Sequence, residues 1–283
     1  MTNRILVCPL EPSLLSRLHG HTLVVRVREA ADVTRARDLV EKGARLHCIV
    51  LDAAAPLAEL ALGEELKGIP LAVFVPGTGD LGTLFGKIPL LAKLRLMVFL
   101  PLSAATTLRD LRILSSLGVP SALVWDAPVV DWEGVEDLLA YAAFTRVPHA
   151  AIEPFGYVMG AYSPRSLIDV SAVSFNDPAR YLHVSSDGRV AMSAEDLAAG
   201  RFIGGLEALR DLADVDRGQD YRARTDHFFL EQDGCAYCAG FRVCMGRFSS
   251  RRTANPGCEK VFAKLLEIAE SASAKESTAL WQP

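Results

Sequence analysis

Short apolar runs alternate with longer amphipathic stretches through the first 155 residues, and this rhythm limits the available folds more than any other feature. The runs are Ile5–Val7, Thr22–Val27, Cys48–Asp52, Leu71–Val75, Leu96–Leu100, Ala122–Trp125 and Ala150–Glu153. Most are continuously apolar, as strands covered on both faces are. In Asp32–Lys42, Val33, Ala36, Leu39 and Val40 share one helical face, and Gly43 supplies a stop. Thr107–Leu117, ending at Gly118, repeats the device, and Trp132–Phe144 is a third helix. Repeated strand–helix–strand spacing predicts an α/β domain with a parallel sheet. About six such units suit an incomplete parallel (β/α) barrel or an open doubly wound sheet, and periodicity does not choose between them.

Beyond residue 155 the pattern changes. Gly156, Gly160, Pro164 and Pro178 mark a linker over 156–178. Tyr181–Ser185 and Arg189–Ser193 then flank Ser186-Asp187-Gly188, a strong hairpin signal. The expected division is an α/β domain over 1–155, the linker, a small cysteine-bearing module over 179–270, and a polar tail over 271–283. A helix is expected through Phe262–Ala269.

A formal net charge of −4 over 283 residues gives no argument for nucleic acid. Arg247, Arg251 and Arg252 form only a small basic group. No apolar run reaches the ~18–20 residues of a membrane span, and the first residues lead into a strand with no signal-peptide pattern. A cytoplasmic, reducing location is the expectation, and there clustered cysteines are metal ligands or redox groups more often than disulfides.

Four of the six cysteines, Cys235, Cys238, Cys244 and Cys258, fall within 24 residues, spaced C-x2-C-x5-C with thirteen residues before the last. A C-x2-C pair lets two thiolates face one concavity from a tight turn, and Gly240 and Gly246 add backbone freedom. Four soft thiolates suit an iron–sulfur cluster or zinc. Zinc sites more often pair two knuckles, and one is present here, so the spacing favours iron–sulfur, with zinc as the alternative.

The stretch Tyr181–Cys258 resembles a SPASM domain, the C-terminal module of radical SAM enzymes that mature peptides and sulfatases. The family pattern is a cysteine, a turn glycine followed by x4-C, then C-x2-C-x5-C-x3-C, a gap and a last cysteine. The resemblance implies one [4Fe-4S] cluster on Cys235, Cys238, Cys244 and Cys258. The family's other cluster has lost its ligands here: Ser193 stands five residues after Gly188, Phe248 stands four after Cys244, and no cysteine lies between Cys48 and Cys235.

A radical SAM site needs a C-x3-C-x2-C loop, and only Cys8 and Cys48 precede residue 235. Both read as ordinary buried strand residues. The order of elements nevertheless resembles a radical SAM barrel, with Ala53-Ala54-Ala55-Pro56-Leu57 where that family carries Gly-Gly-Glu-Pro-Leu. The resemblance implies a pseudo-radical-SAM protein: no S-adenosylmethionine, no catalytic residues, and a role as accessory iron–sulfur protein of a peptide-modifying radical SAM system such as a GeoRSP-type arrangement. Its expected partners are the active radical SAM/SPASM enzyme, the precursor peptide, or both, and neither nucleic acid nor membrane.

A competing motif is Gly77-Thr78-Gly79-Asp80-Leu81-Gly82, a G-x-G-x-x-G after a strand. It supports an alternative, a stand-alone α/β enzyme on a nucleotide-containing substrate with a zinc or iron–sulfur appendage. Against it, Thr83–Pro89 reads as a poor helix and the next strand lacks a terminal acid. His227 reads as a surface or packing residue.

Overall fold

A computed structural model of the chain describes residues 4–125, 131–164, 167–209, 234–246, 248 and 256–279. Among these the sheet has ten strands, and most of it is parallel. Strands β1 (Ile5–Pro9), β2 (Thr22–Val27), β3 (Arg45–Asp52), β4 (Leu71–Phe74), β5 (Leu96–Pro101), β6 (Ser121–Val124) and β7 (Ile152–Glu153) lie side by side in chain order. On the far side of β1, β8 (Tyr181–Val184) pairs in parallel, followed by antiparallel β9 (Arg189–Ala191) and β10 (Gly204–Gly205). The hairpin foreseen around Asp187-Gly188 is β8–β9, and Gly188 takes φ +86° in its turn. The sheet is continuous across residue 178.

Right-handed crossovers between neighbours that never reverse direction put the helices that connect them, beginning with α1 (Pro12–Arg17), on one face. That face holds the large core. Val33, Ala36 and Val40 of α2 (Asp32–Val40), Leu111 and Leu114 of α4 (Thr107–Ser116), and Val135, Leu138 and Leu139 of α5 (Trp132–Phe144) pack there with Leu6, Val25, Ile49 and Val98. The other face carries a smaller cluster that includes Val7, Val24, Val50, Ala72 and Phe99, joined by Phe175 and Tyr181. Phe175 touches Phe99 of β5 at 6.3 Å and Tyr181 of β8 at 5.6 Å between ring centroids. Those strands are five positions apart in the sheet, about 24 Å on a flat sheet at roughly 4.8 Å per strand. The sheet therefore curls around Phe175, which fits a barrel-like α/β fold, and the strand order lacks the reversal of a doubly wound sheet.

Two segments depart from the sequence reading. α3 (Leu81–Leu91) forms across Gly82, Gly86 and Pro89, where the sequence reads as a poor helix. Its start is fixed by Asp80, whose carboxylate accepts the Thr83 N–H at 2.7 Å and the Thr83 hydroxyl at 2.8 Å. Burial of Leu84 and Leu91 supplies the rest, a case of packing overriding propensity. The stretch 156–178 holds most of α6 (Phe155–Ala161) and a 3-10 turn at Val170–Ala172. Its Asp169, Ser171, Asn176 and Asp177 are buried. Asn176 donates to Glu195 and accepts the Ala194 N–H at 2.8 Å, tying this stretch to α7 (Ala194–Ala198).

No helix among the described residues is long and apolar enough to cross a membrane.

Candidate metal centre

The cysteine segment is built from tight turns. Cys235 opens the 3-10 turn Gly234–Tyr237, and the Cys238 N–H returns to the Cys235 carbonyl at 3.1 Å. Gly240 follows because nothing larger fits: a Cβ there would lie 2.8 Å from that of Phe262. α8 (Phe241–Cys244) then ends in two left-handed residues, Met245 at φ +52° and Gly246 at φ +72°. The reversal aims the Gly246 N–H at the Cys244 thiol. Cys258 lies in the first turn of α9 (Pro256–Ala279).

These turns bring the four thiols into one neighbourhood. Burial pushes the Cys244 thiol up to about 12, and Cys258, Cys235 and Cys238 each raise it further, against the Gly246 N–H. Cys235, Cys244 and Cys258 are buried, Cys238 is partly exposed, and all are free thiols. Even so, no three His, Cys, Asp or Glu among the described residues stand as the ligand set of a single metal ion. A thiol whose ionisation its neighbours oppose is chemically suited to a cationic group, which would reverse that balance. Four soft thiols are the donor type that an iron–sulfur cluster or zinc takes, and the backbone N–H on Cys244 is a further stabiliser of sulfur charge.

The segment is docked on the sheet's helical layer. α9 packs on α5 and α6, and Lys260 and Lys264 both reach Glu136 of α5, at 2.7 and 2.8 Å. Phe262 is fully buried, with Phe248 stacked 5.5 Å away, and Phe248 meets Trp125 edge-on at 4.8 Å and Trp132 at 5.4 Å. Trp132 also covers Gly257, where an added Cβ would fall 2.4 Å from the indole.

No protein-family model matches the chain, and neither a curated protein nor a solved structure matches it.

The two positions where a further cysteine would be expected from the SPASM pattern have other work. Ser193 is buried and caps α7, accepting the Asp196 N–H and donating to its carboxylate at 2.8 Å. Phe248 belongs to the aromatic group just described. Cys8 packs on the helical face of the sheet and Cys48 on the opposite face, so the two share no site. Burial pushes each thiol up to about 12, with no other cysteine acting on either.

The glycine loop after β4 is closed to an anion. The Gly77 and Thr78 carbonyls accept the N–H groups of Leu57 and Ala58, and an added Cβ at Gly79 would meet Pro56 at 2.9 Å. Thr78 is buried on Asp110 at 2.7 Å. The Asp80 carboxylate occupies the helix N-terminus where a phosphate would bind. Of the three glycines, Gly79 packs its loop against Pro56 and Ala58. Arg247, Arg251, Arg252 and His227 lie outside the described residues.

One polar group went unnoticed in the sequence. At the C-terminal ends of β2 and β3, Arg26 and Asp52 form a two-bond ion pair, one bond at 2.9 Å, with the guanidinium over the Phe74 ring. His183 of β8 is buried nearby, and its Nε2 has no hydrogen-bond partner. Burial first, then Arg26, lower its pKa to about 4. A charge inside an otherwise apolar run, Arg26 in Thr22–Val27, was the available signal.

Proposed function

We propose that the chain is an accessory iron–sulfur protein of a peptide-modifying radical SAM system. It holds one [4Fe-4S] cluster on Cys235, Cys238, Cys244 and Cys258. The observation that supports this reading is the selective pattern of thiols. Four positions of one SPASM cluster are all cysteine, and three of them act electrostatically on Cys244, while the positions of the other are a helix cap and an aromatic packing residue.

A cluster with four protein thiolates has no open coordination site, so the chemistry it supplies is electron relay or structural cross-linking. The protein's part is to hold the thiolates through the turns at Gly240 and Met245–Gly246, and to fix the module on α5 and α6. With no three-cysteine site in the chain, S-adenosylmethionine cleavage is left to the partner enzyme. The curled sheet is read as a radical-SAM-like barrel kept for binding the enzyme, the precursor peptide, or both.

Anaerobic purification with metal and sulfide analysis tests the cofactor, with about four iron and four sulfide per chain expected. Stoichiometric zinc without acid-labile sulfide would replace the cluster by a structural zinc site. Affinity purification with the products of neighbouring genes tests the role. A radical SAM/SPASM enzyme or short peptide is expected to co-purify, and peptide modification proceeding at full rate without this chain would overturn the accessory assignment.

A further inference from the structure

The curled face of the sheet carries an open cavity of about 490 Å³ at the N-terminal ends of β3, β4 and β5, the end opposite the Arg26–Asp52 pair. Its volume lies in the range of small-molecule sites. Ala72, Met97, Phe99 and Phe175 give it apolar walls. Phe175 is part of that lining, and it sits at φ +60°. That left-handed conformation costs a bulky residue on the order of 1–3 kcal/mol and is held only where its surroundings over-determine it. Here the ring is clamped between Phe99 and Tyr181.

The polar side chains of the lining are His47, Cys48, Arg95, Glu153 and Tyr157, and Arg95 lies near both His47 and Cys48. Arg95 lies at the mouth, close enough to Cys48 of β3 to act on its thiol, and has no ion-pair partner among the described residues. Glu153 of β7 lines the far wall and already accepts the Tyr157 N–H at 2.6 Å. An apolar cavity that carries one permanent cation offers the anionic end of a ligand a partner at Arg95.

We propose that this cavity binds a small carboxylic acid with an apolar body, its carboxylate held by Arg95. The site stands apart from the cysteine centre and does not depend on the function proposed above.

Titration calorimetry of the full chain with decanoate, and with 1-decanol as its uncharged counterpart, tests this. One decanoate per chain is expected to bind, and more tightly than the alcohol. Arg95→Gln, a change at an exposed residue, is expected to weaken decanoate about tenfold, the loss of one charge-assisted contact, and to leave decanol within about twofold. Met97→Trp fills the chamber from a partly exposed wall position and is expected to abolish both, with the melting temperature checking that the fold is kept. Failure of both probes to saturate at one per chain would overturn the proposal. So would an Arg95→Gln variant that weakens both probes equally or neither, or a folded Met97→Trp variant that binds as before.

Discussion

The cysteines of the sheet and those of the C-terminal segment differ in company rather than in burial. Cys8, Cys48 and Cys244 are all buried, and all three thiols are pushed up to about 12. The first two lie in the apolar clusters on opposite faces of the sheet, with no other cysteine beside them. Cys244 has three thiols around it and a backbone N–H aimed at its sulfur. Burial by itself makes a thiol inert; burial among other thiols makes a place that a metal group can stabilise.

The largest effect should come from breaking that company. Cys→Ser at 235, 238, 244 or 258 is expected to lose most of the bound iron, measured by metal analysis and visible absorption. Cys8→Ser and Cys48→Ser should keep it. Iron lost equally from the Cys8 variant would erase the distinction between the two sets.

A smaller effect is expected at the joint between the regions. Phe262 fills the space between the cysteine turns and the tryptophans. Phe262→Ala should cost about 3–5 kcal/mol in denaturant unfolding, with a change in tryptophan emission. A loss below about 1 kcal/mol would mean that the segment and the sheet are energetically separate.

The smallest of the three is a pH effect inside the sheet. His183 is neutral in the fold until about pH 4, whereas an unfolded histidine takes a proton near 6.5. The unfolded chain therefore binds the extra proton in this window, so stability falls as pH drops from 6.5 to about 4. The loss should total on the order of 3 kcal/mol. His183→Gln should flatten that window while leaving the metal content alone. An unchanged slope would assign the pH dependence to other groups.

The parallel strands were legible because each is a local apolar run, and β2 falls where the sequence put it. α3 was not, because Gly86 and Pro89 argue locally against a helix that Asp80 and the buried Leu84 impose. The 156–178 stretch has the sequence of a linker because side-chain bonds such as those of Asn176 hold it, and they leave no periodicity. The curl of the sheet was invisible for a similar reason: it depends on Phe175 meeting strands remote in sequence. The clustering of four cysteines is a matter of sequence spacing. Their seat on Trp132 and Glu136 is not, because that contact joins residues more than a hundred positions apart.

The pairing of β8 with β1 sets a timetable for synthesis. Ile5, Leu6 and Val7 find their partners in Tyr181, Leu182 and His183, which the ribosome adds much later. At 5–20 residues per second the outer edge of β1 waits roughly ten to thirty-five seconds for its neighbour. Throughout that interval an apolar strand edge is open to pairing with other chains. A nascent chain stalled before residue 181 should therefore be far more prone to aggregate, and to recruit chaperones, than one released after β8 has closed the edge.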